Sequence, residues 1–166
     1  DPGEAFGTGQ HESTRGCIIA LEEFVMPGAS VLDVGCGSGV LSIASAQLGA
    51  ANVVGIDIDT VAVSVAANNV ATNKVADRAT ILQGDLAGGV LQEFDIVVAN
   101  ILADVVIELM AELPRVLAPG GRFVCSGFTG KHAARVEEAL HGAGHRIIRR
   151  IQVDDWVTLV SAAESS

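Results

Sequence analysis

Positive charge is what this chain has least of: ten lysines and arginines stand against twenty aspartates and glutamates in 166 residues, a formal charge of −10. That sign opposes a sheath of phosphate contacts and argues against a direct nucleic-acid site, while a basic protein partner would be attracted. Cysteine is scarce as well. Cys17, Cys36 and Cys125 are odd in number and widely spaced, with no CxxC pair and no Cys/His metal spacing, which fits a reducing cytosol and no metal centre. A long apolar run is also missing. The longest stretch, DIVVANILADVVIELMAEL, is interrupted by Asn100, Asp104 and Glu108, so no segment is expected to span a membrane. There is no internal linker and no repeat at a period of about 20 to 50 residues. The chain opens on Asp1-Pro2 rather than Met, which suggests an excised piece of a longer protein.

What remains is an apolar chain, 49% hydrophobic, long enough to bury the core of one globular domain spanning residues 1–166. Cys17, Ile18, Leu21, Phe24 and Val25 recur at helical spacing, with Ser13 and Thr14 as N-cap candidates and Pro27-Gly28 as the stop. Short β-branched runs then alternate with helical patterns: SVLDV, a helix from Val40 to Leu48, NVVGI, an Ala-rich helix from Thr60, ATILQ, DIVVA, and a helix over Asp104–Leu117. In the last of these, Leu102, Val105, Val106, Leu109, Met110 and Leu113 share a face. After Pro119-Gly120-Gly121 come RFVCSG, a helix over Lys131–Ala143, and two runs, RIIRRIQV and WVTLVSA, joined only by Asp154-Asp155 and hence an antiparallel hairpin. The pattern predicts an α/β fold with seven strands, mostly parallel.

Chemistry concentrates where strands end. VLDVGCGSG places Gly35, Gly37 and Gly39 at a strand-to-helix turn, where residues without Cβ let the backbone turn sharply and approach a ligand, with free helix N–H groups ahead. The spacing is GxGxG rather than the GxGxxG of dinucleotide sites, and Asp33 at the strand end suits a cationic group better than a pyrophosphate. Asp57 closes the second strand 22 residues after Gly35, the distance at which a carboxylate grips ribose hydroxyls. Asp85, in QGDL after the third strand, is placed to accept from an adenine amine. Asn100, in VVANIL after the fourth, carries an amide able to accept from an amine and donate to a carboxylate, facing substrate. Taken singly, GxGxG is also a tight turn, each acid a cap or surface group, and Asn100 a turn residue. In register on successive strand ends they point to one crevice.

Other residues read more plainly. Cys36 is a small buried residue rather than a thiol nucleophile, Cys17 and Cys125 are core, and Trp156 packs. Arg146, Arg149 and Arg150 read as solvated charges, and His132, His141 and His145 as surface residues without metal partners. His11, in the polar preface AFGTGQHESTRG, has the reading of a structural or solvated loop residue beside that of a chemical one.

VLDVGCGSG, GIDID, QGDL and LAPGG occur in that order, and the chain therefore resembles the class I S-adenosylmethionine-dependent methyltransferases. With DPGEAFGTGQHESTRG and VVANIL added, it is similar over nearly all 166 residues to the catalytic domain of the PrmA family, which methylates lysine and N-terminal amines of ribosomal protein L11. The family's AFGTGxHxTT has Ser13 here in place of its first Thr, a change that keeps a hydroxyl.

The resemblance implies a Rossmann-like seven-stranded sheet with helices on both faces and a leading helix. It implies S-adenosylmethionine as cofactor and S-adenosylhomocysteine as product, with no metal. By the resemblance Thr14, Gly35, Asp57 and Asn100 contact cofactor and Asp85 sits by the adenine, while the strand-end position of Asn100 makes it the expected catalytic residue. Phe6, Gly7, Gly9 and His11 then belong to a lid or substrate-side loop whose glycines permit closure. The resemblance also implies an N-terminal substrate-recognition domain in family members, expected to lie outside this sequence. The rival readings are a methyltransferase of another protein lysine or a small molecule, a cofactor-binding fragment without activity, and a nicotinamide-dependent oxidoreductase.

Overall fold

The central β-branched runs become strands because both of their faces are covered: in SVLDV and FDIVVAN nearly every side chain is buried. The computed structural model describes residues 10–164. β1 (Ser30–Val34), β2 (Asn52–Asp57), β3 (Ala79–Gln83), β4 (Phe94–Asn100) and β5 (Leu117–Thr129) run parallel. β6 (His145–Val153) and β7 (Trp156–Ala163) form the expected hairpin, and β7 lies antiparallel against β5. Among the described residues these seven strands make one sheet in the order β3-β2-β1-β4-β5-β7-β6. The chain leaves β1 towards β2 on one side and returns as β4 on the other, so the strand order reverses at β1/β4. Ligands of open α/β sheets bind above such a point.

Helices cover both faces. α1 (Gln10–Phe24), α2 (Val40–Gln47) and α3 (Thr60–Thr72) pack Cys17, Leu21, Leu41 and Val70 against Val31, Val53, Ile96 and Val98. α4 (Ala103–Leu109), a 3-10 turn (Met110–Glu112), α5 (Leu113–Val116) and α6 (Gly130–Gly142) pack Val106, Leu109, Leu113, Val136 and Leu140 against Leu32, Val97, Phe123 and Leu159. Each fully buried aliphatic side chain contributes about 1.5–3 kcal/mol, so the two-faced core outweighs the modest helix propensity of the valine-rich α3.

Four expectations are corrected. The leading helix begins at Gln10, so Ser13 and Thr14 lie inside it rather than capping it. Ser13 belongs to the buried stripe continued by Cys17, Ala20 and Leu21, and burial of that stripe outweighs the local capping preference. The helix expected over Asp104–Leu117 is broken into three pieces, because Pro114 has no N–H for the Met110 carbonyl and its ring crowds that turn. Leu102, expected on its buried face, instead sits at the helix start and is exposed. His145 is not a surface residue: it is 4% exposed, its Nδ1 lies 2.9 Å from Ser161 Oγ, and burial lowers its pKa. His132 and His141 are exposed as expected. Arg149 and Arg150 are paired, with Glu23 and Glu137 respectively, though exposed pairs of this kind contribute at most about 1 kcal/mol.

A crevice of acceptors at the carboxyl edge

The site begins with the turn after β1. Gly35, Gly37 and Gly39 all have positive φ, at 71°, 54° and 87°. At Gly35 the reason is also spatial: a Cβ would stand 2.6 Å from Ile101 Cγ2. The turn is pinned to β2, because the N–H groups of Gly35 and Cys36 both donate to the Ile56 carbonyl at 2.8 and 3.0 Å. The Gly37 N–H donates to Asp57 Oδ2 at 2.9 Å, and the other oxygen of Asp57 accepts from the Asp59 N–H at 2.9 Å. Asp57 is therefore held rigidly at the end of β2, its carboxylate fixed by two backbone donors.

The residues singled out in the sequence gather in two adjoining spaces. A crevice of about 350 Å³ is lined by Gly35, Asp57 and Asp85 with an apolar wall of Val34, Ile56 and Ile101. A cavity of about 60 Å³ behind it is lined by Asp33, Gly35, Gly37 and Asn100. Gly35 is common to both, and Gly39 sits at the start of α2 just beyond the smaller one. Asp33 is 1% exposed and accepts a hydrogen bond from Ser42 Oγ at 2.8 Å. Burial pushes its carboxyl up to about 6, against the pull of the Ser42 bond and with a further push from Asp57. Burial likewise raises the Cys36 thiol, which agrees with a packing role.

Asn100 is the least satisfied group in the site. Its Nδ2 donates to Thr14 Oγ1 at 3.3 Å, while its Oδ1 is buried with no hydrogen-bond partner among the described residues. An unmet buried acceptor costs about 1–3 kcal/mol, a cost removed by any ligand that brings an N–H or O–H. Thr14 thus joins the site through Asn100, from α1. His11 is exposed in the first turn of that helix and lines neither space. Phe6, Gly7 and Gly9 lie outside the described residues.

Sequence reasoning from polar residues missed the apolar lips. Ile58, 63% exposed, and Leu102, 72% exposed, flank the larger crevice. The signal was available: each lies within two residues of a strand-end polar group, Asp57 or Asn100. No lysine or arginine lines either space, and Asp33, Asp57, Asp85 and Asn100 all present acceptors. The arrangement suits a ligand rich in donors or positively charged, and opposes a pyrophosphate. Among the described residues, no group of three His, Cys, Asp or Glu side chains is placed to hold a metal ion.

The family profile described as "Ribosomal protein L11 methyltransferase (PrmA)" matches residues 1–164. The chain belongs to the PrmA family. A ribosomal protein L11 methyltransferase of an Exiguobacterium species is 48% identical over 161 residues, 97% of this chain and 52% of that protein. The Bacillus subtilis protein of the same name is 46% identical over the same shares. The crystal structure of the ribosomal protein L11 methylase from Lactobacillus delbrueckii subsp. bulgaricus superposes with a TM-score of 0.90 at 30% identity, covering 95% of this chain and 81% of that one. The chain spans about half the length of the curated PrmA relatives it matches. Its sheet, with the antiparallel strands at the carboxyl end, is thus the PrmA methyltransferase fold.

Proposed function

We propose that the chain is the methyl-transfer domain of an S-adenosylmethionine-dependent protein methyltransferase acting on an amine nitrogen of ribosomal protein L11. The observation that carries this reading is the buried, unmet Oδ1 of Asn100 next to an otherwise apolar crevice whose polar side chains are the carboxylates Asp57 and Asp85. Family membership supports the reaction class, and the relatives' names support the substrate.

When bound, S-adenosylmethionine supplies a sulfonium methyl that an amine lone pair can attack. The residues present fit it. Asp57, already oriented by the N–H groups of Gly37 and Asp59, would take the ribose hydroxyls. Asp85 would accept from the adenine amine, and Ile58 and Leu102 would offer it apolar surface. Asp33 and the turn of Gly35, Gly37 and Gly39 face the cationic end. Asn100 Oδ1 accepts an N–H of the incoming amine and so aims its lone pair, and Thr14 fixes the amide from behind through Nδ2.

Catalysis in this account is positioning and exclusion of water. A lysine amine with an ordinary pKa of about 10.4 must arrive neutral, and desolvation between the apolar lips Ile58 and Leu102 would disfavour its ammonium form. The bound cofactor would supply the methyl to that nitrogen, and the proton shed by the amine would leave to solvent. Incubating the chain with methyl-labelled S-adenosylmethionine and purified L11 tests the proposal. Label in L11 lysine or N-terminal amine supports it; calorimetric binding of S-adenosylhomocysteine without label would leave a cofactor-binding domain only, and no binding would remove both.

A further inference from the structure

α1 carries a glycine in its second turn, which costs about 1 kcal/mol relative to alanine, and the reason lies on β7. Gly16 is buried, and a Cβ built on it would fall well inside contact distance of Thr158 Oγ1 and 3.2 Å from Thr158 Cβ. Thr158 cannot readily yield. It is 2% exposed and its hydroxyl donates to Ser126 Oγ at 2.9 Å, which in turn donates to the Val157 carbonyl at 2.8 Å. Ser126 is the register partner of Asn100 across β4 and β5, and its carbonyl accepts from the Ile101 N–H at 2.9 Å. The place where α1 rests is therefore part of the same bonded block that holds Asn100.

Gly16 and Thr14 lie on opposite flanks of the buried stripe of α1, one turned to β7 and the other to β4. Thr14 reaches Asn100 at 3.3 Å, already long for a hydrogen bond, so a lift of α1 by a few tenths of an ångström would break it.

We propose that Gly16 is a positioning residue: by bringing α1 into direct contact with Thr158 it seats Thr14 on the Asn100 amide and leaves Asn100 Oδ1 free for the acceptor amine. The catalytic half of this statement rests on the proposed methyl transfer; the seating half does not.

The test uses the side-chain NH2 pair of Asn100 in a 15N correlation spectrum, assigned by its loss in Asn100→Ala. Gly16→Ala is expected to move that pair to the position it takes in Thr14→Val, and Gly16→Ala/Thr158→Ala to return it. Single-turnover methyl transfer is expected to fall by roughly tenfold in Gly16→Ala, as in Thr14→Val, and to fall no further when Gly16→Ala is added to Thr14→Val. If Gly16→Ala does not fold, Thr158→Ile adds the bulk from the β7 side and is measured instead. An Asn100 pair that stays at its wild-type position while the melting temperature drops would reduce Gly16 to packing, as would an equal loss of turnover in both Thr14 backgrounds. Should the wild-type chain transfer no methyl at all, the proposed function fails while the resonance shift still decides the seating.

Discussion

The Asn100 side-chain amide donates to Thr14 Oγ1 across 86 positions of sequence and keeps its own oxygen buried and unpaired among the described residues. One end of the amide is anchored by α1 and the other is presented to the crevice. Thr14→Val removes the anchor while keeping the shape. Turnover is expected to fall, by roughly tenfold for a lost orienting contact of about 1.4 kcal/mol, with a smaller change in S-adenosylhomocysteine affinity measured by calorimetry.

Asp33 gives the stability a pH dependence. Its carboxyl is raised from 3.8 to about 6 by burial, so between those values the folded chain holds a proton that the unfolded chain has lost. Stability from this group therefore falls as pH rises from about 4 to about 6, and the full penalty, on the order of 3 kcal/mol, stands above that. Asp33→Asn is expected to be more stable than wild type in urea at pH 7.5, with the difference vanishing near pH 4, and to bind cofactor more weakly.

Gly35 and Gly28 separate strain from collision. Both have positive φ, 71° and 85°, but a Cβ at Gly28 meets nothing within 4 Å, whereas one at Gly35 meets Ile101. Gly28→Ala is expected to lose about 1–2 kcal/mol, roughly 2–8 °C in melting temperature, with cofactor binding intact. Gly35→Ala is expected to lose more, and to lose cofactor affinity with it.

The three thiols should be silent. Cys17, Cys36 and Cys125 are buried, and burial raises each of them. A thiol-reactive chromophore at pH 8 is expected to label none in the native chain and all three in denaturant.

The sequence announces the fold well because its signals are repetitive: SVLDV, NVVGI and DIVVA each end at a glycine, acid or amide and lead into a helix. The same repetition brings Asp33, Asp57, Asp85 and Asn100 to one edge. What local pattern hides is contact between distant segments. Ser13 and Thr14 look like caps until burial against the sheet and the Asn100 amide claim them. The helix expected over Asp104–Leu117 is undone by Pro114, whose effect on the Met110 carbonyl a hydrophobic stripe does not register. His145 looks like a hairpin surface residue until β7 supplies Ser161. Ile58 and Leu102 carry no polar group to attract notice, and only the crevice between them gives them meaning.

The central claim is that Asn100 acts on the acceptor amine rather than merely on the cofactor. Asn100→Ala, compared with wild type in single-turnover methyl transfer to L11 and in S-adenosylmethionine affinity, separates the two. The account predicts a loss of rate on the order of 100-fold with affinity changed only a few-fold; equal losses in rate and affinity would contradict it.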